Sequence, residues 1–377
     1  MATNGELPVP GQAAAAPELQ LFVPGLAPFA MPAAEKAIFL ASRLAELLEY
    51  HRERCPGYAR LLTDWEQYGG GDGDYVQRYP FVPVTVFKEY DLKSVAGEVA
   101  VVRSSATTST QASRIYIDKA SRKRQSRSAN LILTDFIGAE RRPYIVFDLE
   151  ETVRGAKAFS ARGAAILALA HLATEFHFVL REGRDGPELD PDALHRALAK
   201  IGDAPFIAYG FTFMLYNAHR QMASLDLPRA HPDSVLLHSG GWKKLVELAV
   251  GKPVFNGVVS GPWGLRPDRV VDFYGAVEQI GMPYPDCSEG YKHVPYWADV
   301  ITRRGDTLAP APTGESGLIQ LISCLPLAAP NHSVLTEDLG RIVHADGCPC
   351  GRPGKSFLFE GRAPRSEVRG CSDVPRR

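Results

Sequence analysis

Arg103-Ser-Ser-Ala-Thr-Thr-Ser-Thr-Gln-Ala-Ser-Arg114 is the stretch on which the reading of this chain turns. Small and hydroxyl-bearing residues fill it. Strand-like runs flank it, Val99–Arg103 before and Arg114–Asp118 after. Such a loop can wrap a triphosphate, because backbone N–H groups and Ser/Thr hydroxyls converge on the anion with no bulky side chain in the way. ATP is the first expectation, with Ser104, Ser105, Thr107 and Thr108 as the phosphate grip.

Outward from the loop, helix-like and strand-like patterns alternate. Lys119–Ile137 reads as a helix with a basic start (Lys119, Arg122, Lys123, Arg124, Arg127). A solvated face is the plainer account of that charge run, and an offset for phosphate charge is the sharper one. Pro143–Asp148 reads as a buried strand, Gly163–Phe178 as an apolar helix and Asp190–Ile201 as another helix. Phe206–Tyr209, Ser234–His238, Val270–Tyr274 and Gly317–Ser323 are further strands. Upstream, Ile38, Ala41, Leu44, Ala45 and Leu48 fall at helical spacing within Ala33–Arg54, and Cys55-Pro56-Gly57 ends that helix. Pro80-Phe-Val-Pro-Val-Thr-Val-Phe87 is proline-punctuated and reads as an extended lining segment. The alternation predicts an α/β fold with packed sheets and helices. Residues 1–32, rich in Ala, Pro and Gly, read as a flexible N-terminal segment. Residues 33–361 form one large domain, and residues 362–377 a short C-terminal remnant.

The bounds agree with a soluble globular protein. The chain has 377 residues, 45% of them hydrophobic, and 42 basic residues against 43 acidic ones give a net charge of -1. That balance points away from nucleic acid and from a polybasic membrane anchor. No apolar run reaches the roughly 18–20 residues that span a bilayer. The N-terminal stretch lacks the pattern of a secretory signal. Six unevenly spaced cysteines do not look like a disulfide framework, so a reducing cytoplasm is the expected setting.

Three more segments follow the hydroxyl loop in order: His238-Ser-Gly-Gly-Trp-Lys243, Asp272-Phe-Tyr-Gly-Ala-Val-Glu-Gln279, and Leu335-Thr-Glu-Asp-Leu-Gly340 with Gly361-Arg362 beyond. Paired glycines (Gly240, Gly241) at a strand end let a flat base lie against bare backbone. Tyr274, followed by Gly275, suits stacking on that base. Glu278 suits a Mg²⁺ ligand, and Asp338 an acceptor for ribose hydroxyls with Arg362 beside it. In these segments the chain resembles the adenylate-forming superfamily, and within it the acyl-protein synthetase (LuxE) family. The resemblance runs from about Pro80 to Ser372 and includes Pro80-Phe-Val-Pro-Val-Thr-Val-Phe-Lys-Glu89, Ala208-Tyr-Gly-Phe-Thr212 and Ser366-Glu-Val-Arg-Gly-Cys371. It implies the large domain of an adenylate-forming enzyme with a truncated C-terminal lid. It also implies Mg-ATP-dependent activation of a carboxylic acid, a fatty acid by family, followed by transfer to a thiol. Cys371 matches the cysteine that carries the acyl group in that family, and the onward partner would be an acyl reductase, an acyltransferase or a carrier protein. An ordinary thiol is the alternative for Cys371. For the chain as a whole, the alternatives are a ligase using CoA, a carrier protein or an amine, and a non-catalytic acyl- or nucleotide-binding partner.

The pattern departs from the superfamily at named positions. Ala106 and Ser109 replace both glycines of the usual phosphate loop, and Val277 stands where a Thr usually precedes the Glu. Pro364 follows Gly361-Arg362-Ala363 and stiffens what is a hinge in larger relatives.

Cys287-x5-His293 and Cys348-x-Cys350 form a second constellation. Three thiolates and an imidazole suit structural Zn²⁺, and reduced cysteines in a Gly/Pro-rich loop are the alternative. His238 and His171 read as core histidines, and Cys324 as inert core. Ser160 and Thr212 are hydroxyls placed to line an acid pocket, with Phe211, Phe213 and Met214 supplying apolar surface.

Overall fold

The computed structural model describes residues 20–68, 74–97, 99–103, 112–154, 161–184, 186–242 and 247–363. Helices α1 (Ala33–Arg54) and α2 (Pro56–Tyr68) come first, then β1 (Val82–Pro83) and α3 (Val86–Glu89). Strands β2 (Ala100–Arg103) and β3 (Arg114–Ile117) pair antiparallel and lead into α4 (Lys119–Ile137). Next come β4 (Arg142–Phe147), α5 (Ala161–Ala168), β5 (Ala173–Phe178), the hairpin β6 (Leu180–Gly183) and β7 (Gly186–Leu189), α6 (Pro191–Ile201), β8 (Ile207–Phe211) and α7 (Thr212–Met222). The last third carries β9 (Val235–Ser239), α8 (Lys252–Ser260), β10 (Val270–Tyr274), β11 (Tyr284–Pro285) and β12 (Lys292–His293). Four longer strands end it: β13 (Ala298–Arg303), β14 (Gly317–Ser323), β15 (Ser333–His344) and β16 (Ser356–Arg362).

Two large sheets organise these elements. One runs β11-β10-β9-β8-β4-β5, parallel except for β11. The chain passes from β4 out to β5, then returns to place β8 on the other side of β4. Such a reversal opens a crevice at the carboxyl ends of the strands, where ligands of open α/β sheets bind. The other sheet runs β12-β16-β15-β14-β13 and is antiparallel, with β1 added parallel to β15. Pro83 fits there because β1 is short and lies at an edge.

Local signals set several of these boundaries. Asp118 caps α4 by accepting from Ser121 N at 2.8 Å, and Gly138, at φ +89°, closes it. Lys119, Arg122, Lys123 and Arg127 are exposed, so the basic run is a solvated face. The buried face of α4 carries Ser121, Gln125 and Ser128, and Ser128 Oγ accepts from Trp297 Nε1 at 2.9 Å. Asp190 caps α6 in the same way, with Pro191 at the first helical position.

Three expectations are corrected. Gly163–Phe178 is not one helix: α5 stops at Ala168, and Ala173–Phe178 is an edge strand beside β4. Aromatic residues at period two, with Phe176 packed on Tyr144 at 5.1 Å, favour the sheet there. Residues 20–32 are not loose. Leu21, Phe22, Phe29 and Met31 are buried, and Phe22 meets Trp297 edge-on at 5.1 Å. In α1 the core face is Leu40, Leu44, Leu47 and His51, while Ile38 is 74% exposed.

Gly281, which follows the Glu278 turn, packs against α4. A Cβ there would lie 2.5 Å from Gln125 Cα, and its φ is +88°. Gly281→Ala is expected to cost roughly 2–3 kcal/mol of stability. A urea titration checks it: an unchanged midpoint would mean the helix yields freely.

Candidate active site

Tyr274 ends β10, beside β9 and its glycine pair. Its hydroxyl donates to Asp338 Oδ2 at 2.8 Å. Asp338 on β15 faces Arg362 on β16 in register, with Arg362 Nε 3.7 Å from Asp338 Oδ1. Burial raises the Asp338 pKa, and the Tyr274 hydroxyl and the Arg362 charge work against that rise. Tyr274 is itself buried, and its ring stacks on Phe359 of β16 at 4.9 Å. Phe359 is 37% exposed, so the accessible aromatic surface beside Asp338 and Arg362 is largely that of Phe359.

Gly240 has φ +76°, and a Cβ on it would meet the Phe211 ring at 2.9 Å. Only glycine fits that close approach without strain. Gly241 is exposed, and a Cβ there would meet nothing within 4 Å. Gly275 has ordinary room, 3.8 Å from Met282 O.

Glu278 sits in a 3₁₀ turn, Val277–Gln279, and is buried. Burial raises its pKa, and Ser113 beside the carboxylate opposes the rise. Ser113 follows the hydroxyl-rich run Ser104–Ser109 by four positions in the sequence. Asn331 Nδ2 donates to Glu278 O at 2.5 Å, and Gln279 Nε2 donates to Asn331 O at 2.6 Å. These bonds fix the turn. Lys88 of α3 reaches Glu337, next to Asp338, at 3.2 Å, so the Pro80–Glu89 motif delivers a cation to the site. Ser104, Ser105, Thr107 and Thr108 fall outside the described residues, as do Ala106, Ser109, Ser160, Pro364 and Cys371.

A polar cluster lies just past the carboxyl end of β4. Asp148, buried just past β4, accepts from Thr152 Oγ1 at 2.8 Å and pairs with Arg162. Phe211 and Met214 are buried at the β8/α7 junction, and Phe213 is partly buried.

Cys287, His293, Cys348 and Cys350 converge. Their ligand atoms all lie within 4.8 Å of one another, with Cys287 Sγ 4.0 Å from Cys348 Sγ and Cys350 Sγ 3.3 Å from His293 Nε2. The edge of a thiolate tetrahedron around zinc is about 3.8 Å, from Zn–S bonds of about 2.3 Å. Burial lowers the His293 pKa to about 4, which leaves a neutral imidazole. Burial also pushes the Cys348 thiol up to about 12. Cys350 is only partly buried; desolvation works to raise its thiol as well, yet hydrogen bonds from the Arg352 backbone and the neighbouring thiols hold it below its ordinary value. Three thiols and a neutral imidazole at these separations are a donor set a divalent soft cation would complete.

The structure thus brings Tyr274, Asp338 and Arg362 together, sets Glu278 beside Ser113, and gathers all four metal-ligand candidates. Phe359 and Lys88 were not foreseen. Only the aromatic at an exposed strand position and the lysine of the proline-rich motif hinted at them.

Comparison with known proteins gives concordant findings. The family profile described as "Acyl-protein synthetase, LuxE" matches residues 7–376. The long-chain-fatty-acid–luciferin-component ligase of Aliivibrio fischeri is 22% identical over 333 residues, which is 87% of this chain and 85% of that protein. The Vibrio harveyi protein of the same name is 26% identical over 141 residues, covering 37% of this chain and only 36% of that protein. Among solved structures, 2-hydroxyisobutyryl-CoA ligase in the postadenylation state, in complex with 2-HIB-AMP, superposes with a TM-score of 0.65. It shares 18% identity, over 90% of this chain and 72% of that one. Its open conformation gives 0.63, over 90% and 79%. The fold is that of the adenylate-forming ligases.

Proposed function

We propose, for a chain that belongs to the acyl-protein synthetase (LuxE) family, that it activates a carboxylic acid with ATP and passes the acyl group to a thiol. The observation that carries this reading is the convergence of Tyr274 of β10 with Asp338 and Arg362 of the β15–β16 pair, with Glu278 beside Ser113. Asp338 offers two oxygens to a ribose diol, and Phe359 offers an aromatic face. Gly240, Gly241 and Gly275 border the base. Ser104, Ser105, Thr107 and Thr108 grip the phosphates.

In the first step a carboxylate oxygen attacks the α-phosphorus, the bond to the bridging oxygen breaks, and acyl-adenylate and pyrophosphate result. Glu278 fits a Mg²⁺ ligand, because a buried carboxyl with a raised pKa is one whose ionisation a cation would restore. Mg²⁺ there would offset phosphate charge. In the second step the Cys371 thiolate attacks the acyl carbonyl, AMP leaves with the bonding pair, and a thioester remains. A reductase, acyltransferase or carrier protein then takes the acyl group. A fatty acid is the substrate class the family relatives' names suggest. The Cys287, His293, Cys348 and Cys350 set fits Zn²⁺ in a structural role. The cytoplasm is the proposed location; among the described residues no helix is long and apolar enough to cross a membrane.

Two measurements test the reaction. Purified protein with Mg-ATP should show ATP–pyrophosphate exchange that depends on added fatty acid. Absence of exchange across a panel of acids would favour the non-catalytic binding reading, to which Ala106 and Ser109 point. By intact mass, fatty acid with Mg-ATP should leave one acyl adduct that Cys371→Ser removes. An adduct persisting in that variant would exclude Cys371, and exchange without any adduct would favour CoA, a carrier protein or an amine as acceptor.

A further inference from the structure

The Gly240–Gly241 turn ends a line of polar contacts that begins at the surface. Lys252 pairs with Asp286. Lys292 Nζ donates to Asp286 Oδ1 and to Asp272 Oδ2, both at 3.0 Å. Asp272 Oδ1 lies 3.6 Å from His238 Nδ1, which lies 3.0 Å from Thr212 Oγ1. Thr212 Oγ1 in turn lies 2.6 Å from Gly240 O and 3.2 Å from Ser239 O. The Lys292, Asp286 and His238 side chains are 4%, 7% and 7% exposed. Burying paired charges is weak support for stability, so a positioning role explains this chain of contacts better.

Proton accounting gives the line a direction. The oxygens of Gly240 and Ser239 only accept, so the single Thr212 proton goes to the nearer one, Gly240. The Thr212 oxygen must then accept from His238, which places the imidazole proton on Nδ1. Asp272 beside Nδ1 favours that tautomer, and Lys292 holds the Asp272 carboxylate in place. The Gly240 carbonyl and the Gly241 N–H belong to one trans peptide unit and point opposite ways. Pinning the carbonyl on Thr212 therefore turns the Gly241 N–H away from Thr212. Gly241 is exposed, and among the described residues no atom lies within 4 Å of where its Cβ would be.

We propose that Thr212, oriented by His238 and Asp272, is a positioning residue that sets the Gly240–Gly241 peptide so that the Gly241 N–H faces the bound nucleotide as a donor. The inference rests on the ATP-site reading above. Thr212→Val removes the hydroxyl at nearly constant size, and Thr212→Ser retains it. The valine variant should raise KM for ATP about tenfold, one hydrogen bond's worth, with kcat changed less than about threefold and the melting temperature lowered by no more than a few degrees. The serine variant should return KM to within about twofold of the parent. An unchanged KM in Thr212→Val, or an equal loss in Thr212→Ser, overturns the proposal. His238→Asn, whose amide nitrogen can stand in for Nδ1, should retain ATP affinity better than His238→Leu; equal losses would remove His238 from the line. ATP affinity measured by calorimetry reports the same effects without turnover. A parent that fails to bind ATP sinks the functional reading itself. A parent that binds ATP as tightly as Thr212→Val sinks only this inference.

Discussion

Glu278→Gln is expected to melt higher than the parent at neutral pH while losing ATP–pyrophosphate exchange by on the order of 10²–10³-fold. The two halves share one cause. Glu278 is buried, and burial raises its pKa above the unfolded value. The folded protein then binds the proton more tightly than the unfolded chain, so stability falls as pH rises from the unfolded pKa through the folded one. Above that window the ionised carboxylate sits in the protein with its full desolvation cost. Glutamine keeps the size and the neutral charge and leaves the backbone bonds to Asn331 untouched. The gap in melting temperature between variant and parent should therefore open as pH rises and close in acid, where the parent carboxyl is protonated. Parallel thermal melts across pH, with exchange rates at neutral pH, check both halves. Equal melting at every pH together with equal exchange would place Glu278 outside the chemistry.

The second large effect belongs to the Cys/His cluster. Purified protein should hold close to one Zn²⁺ per chain, and Cys348→Ala should lose it and melt lower by roughly 5 °C or more. Cys287 and His293 lie at the two ends of the β11–β12 connection. Cys348 and Cys350 lie in the turn between β15 and β16. A metal would tie that turn to the body of the protein. The opposite end of the same strand pair carries Asp338 and Arg362, so ATP binding should weaken together with metal loss. Elemental analysis and melting with and without a chelator settle the matter. Metal-free protein whose melting is insensitive to Cys348→Ala would leave the four residues as reduced thiols and a neutral histidine.

Legibility differed along the chain for physical reasons. Helix α4 could be read to its ends because its stop signals are local: a capping aspartate before it and a left-handed glycine after it. Val270–Tyr274 and Gly317–Ser323 were equally plain, being short apolar runs between turns. The run Gly163–Phe178 was not, since an alanine-rich helix and an aromatic edge strand follow each other with no glycine or proline between them. Only pairing with β4 decides where one stops. Residues 20–32 hid four buried anchors inside an Ala/Pro/Gly background. At the site, motif order singled out Tyr274, Asp338 and Arg362, and strand pairing brings their side chains together. Phe359 and Lys88 escaped because their roles depend on strand register and on contacts between distant segments. The same holds for Lys292, whose partners are two aspartates on other strands and loops.

The docked N-terminal segment bears on how the chain is made. Val23 N donates to the Tyr296 hydroxyl across a sequence separation of 273 residues. Tyr296 N returns a bond to Pro28 O. At synthesis rates of about 5–20 residues per second, Leu21, Phe22 and Phe29 emerge roughly 15–50 s before the strands that cover them. For that interval their apolar surface faces the cell unpaired. This segment leaves the ribosome long before the strands that bury it, which makes it a natural place for a chaperone to hold the nascent protein.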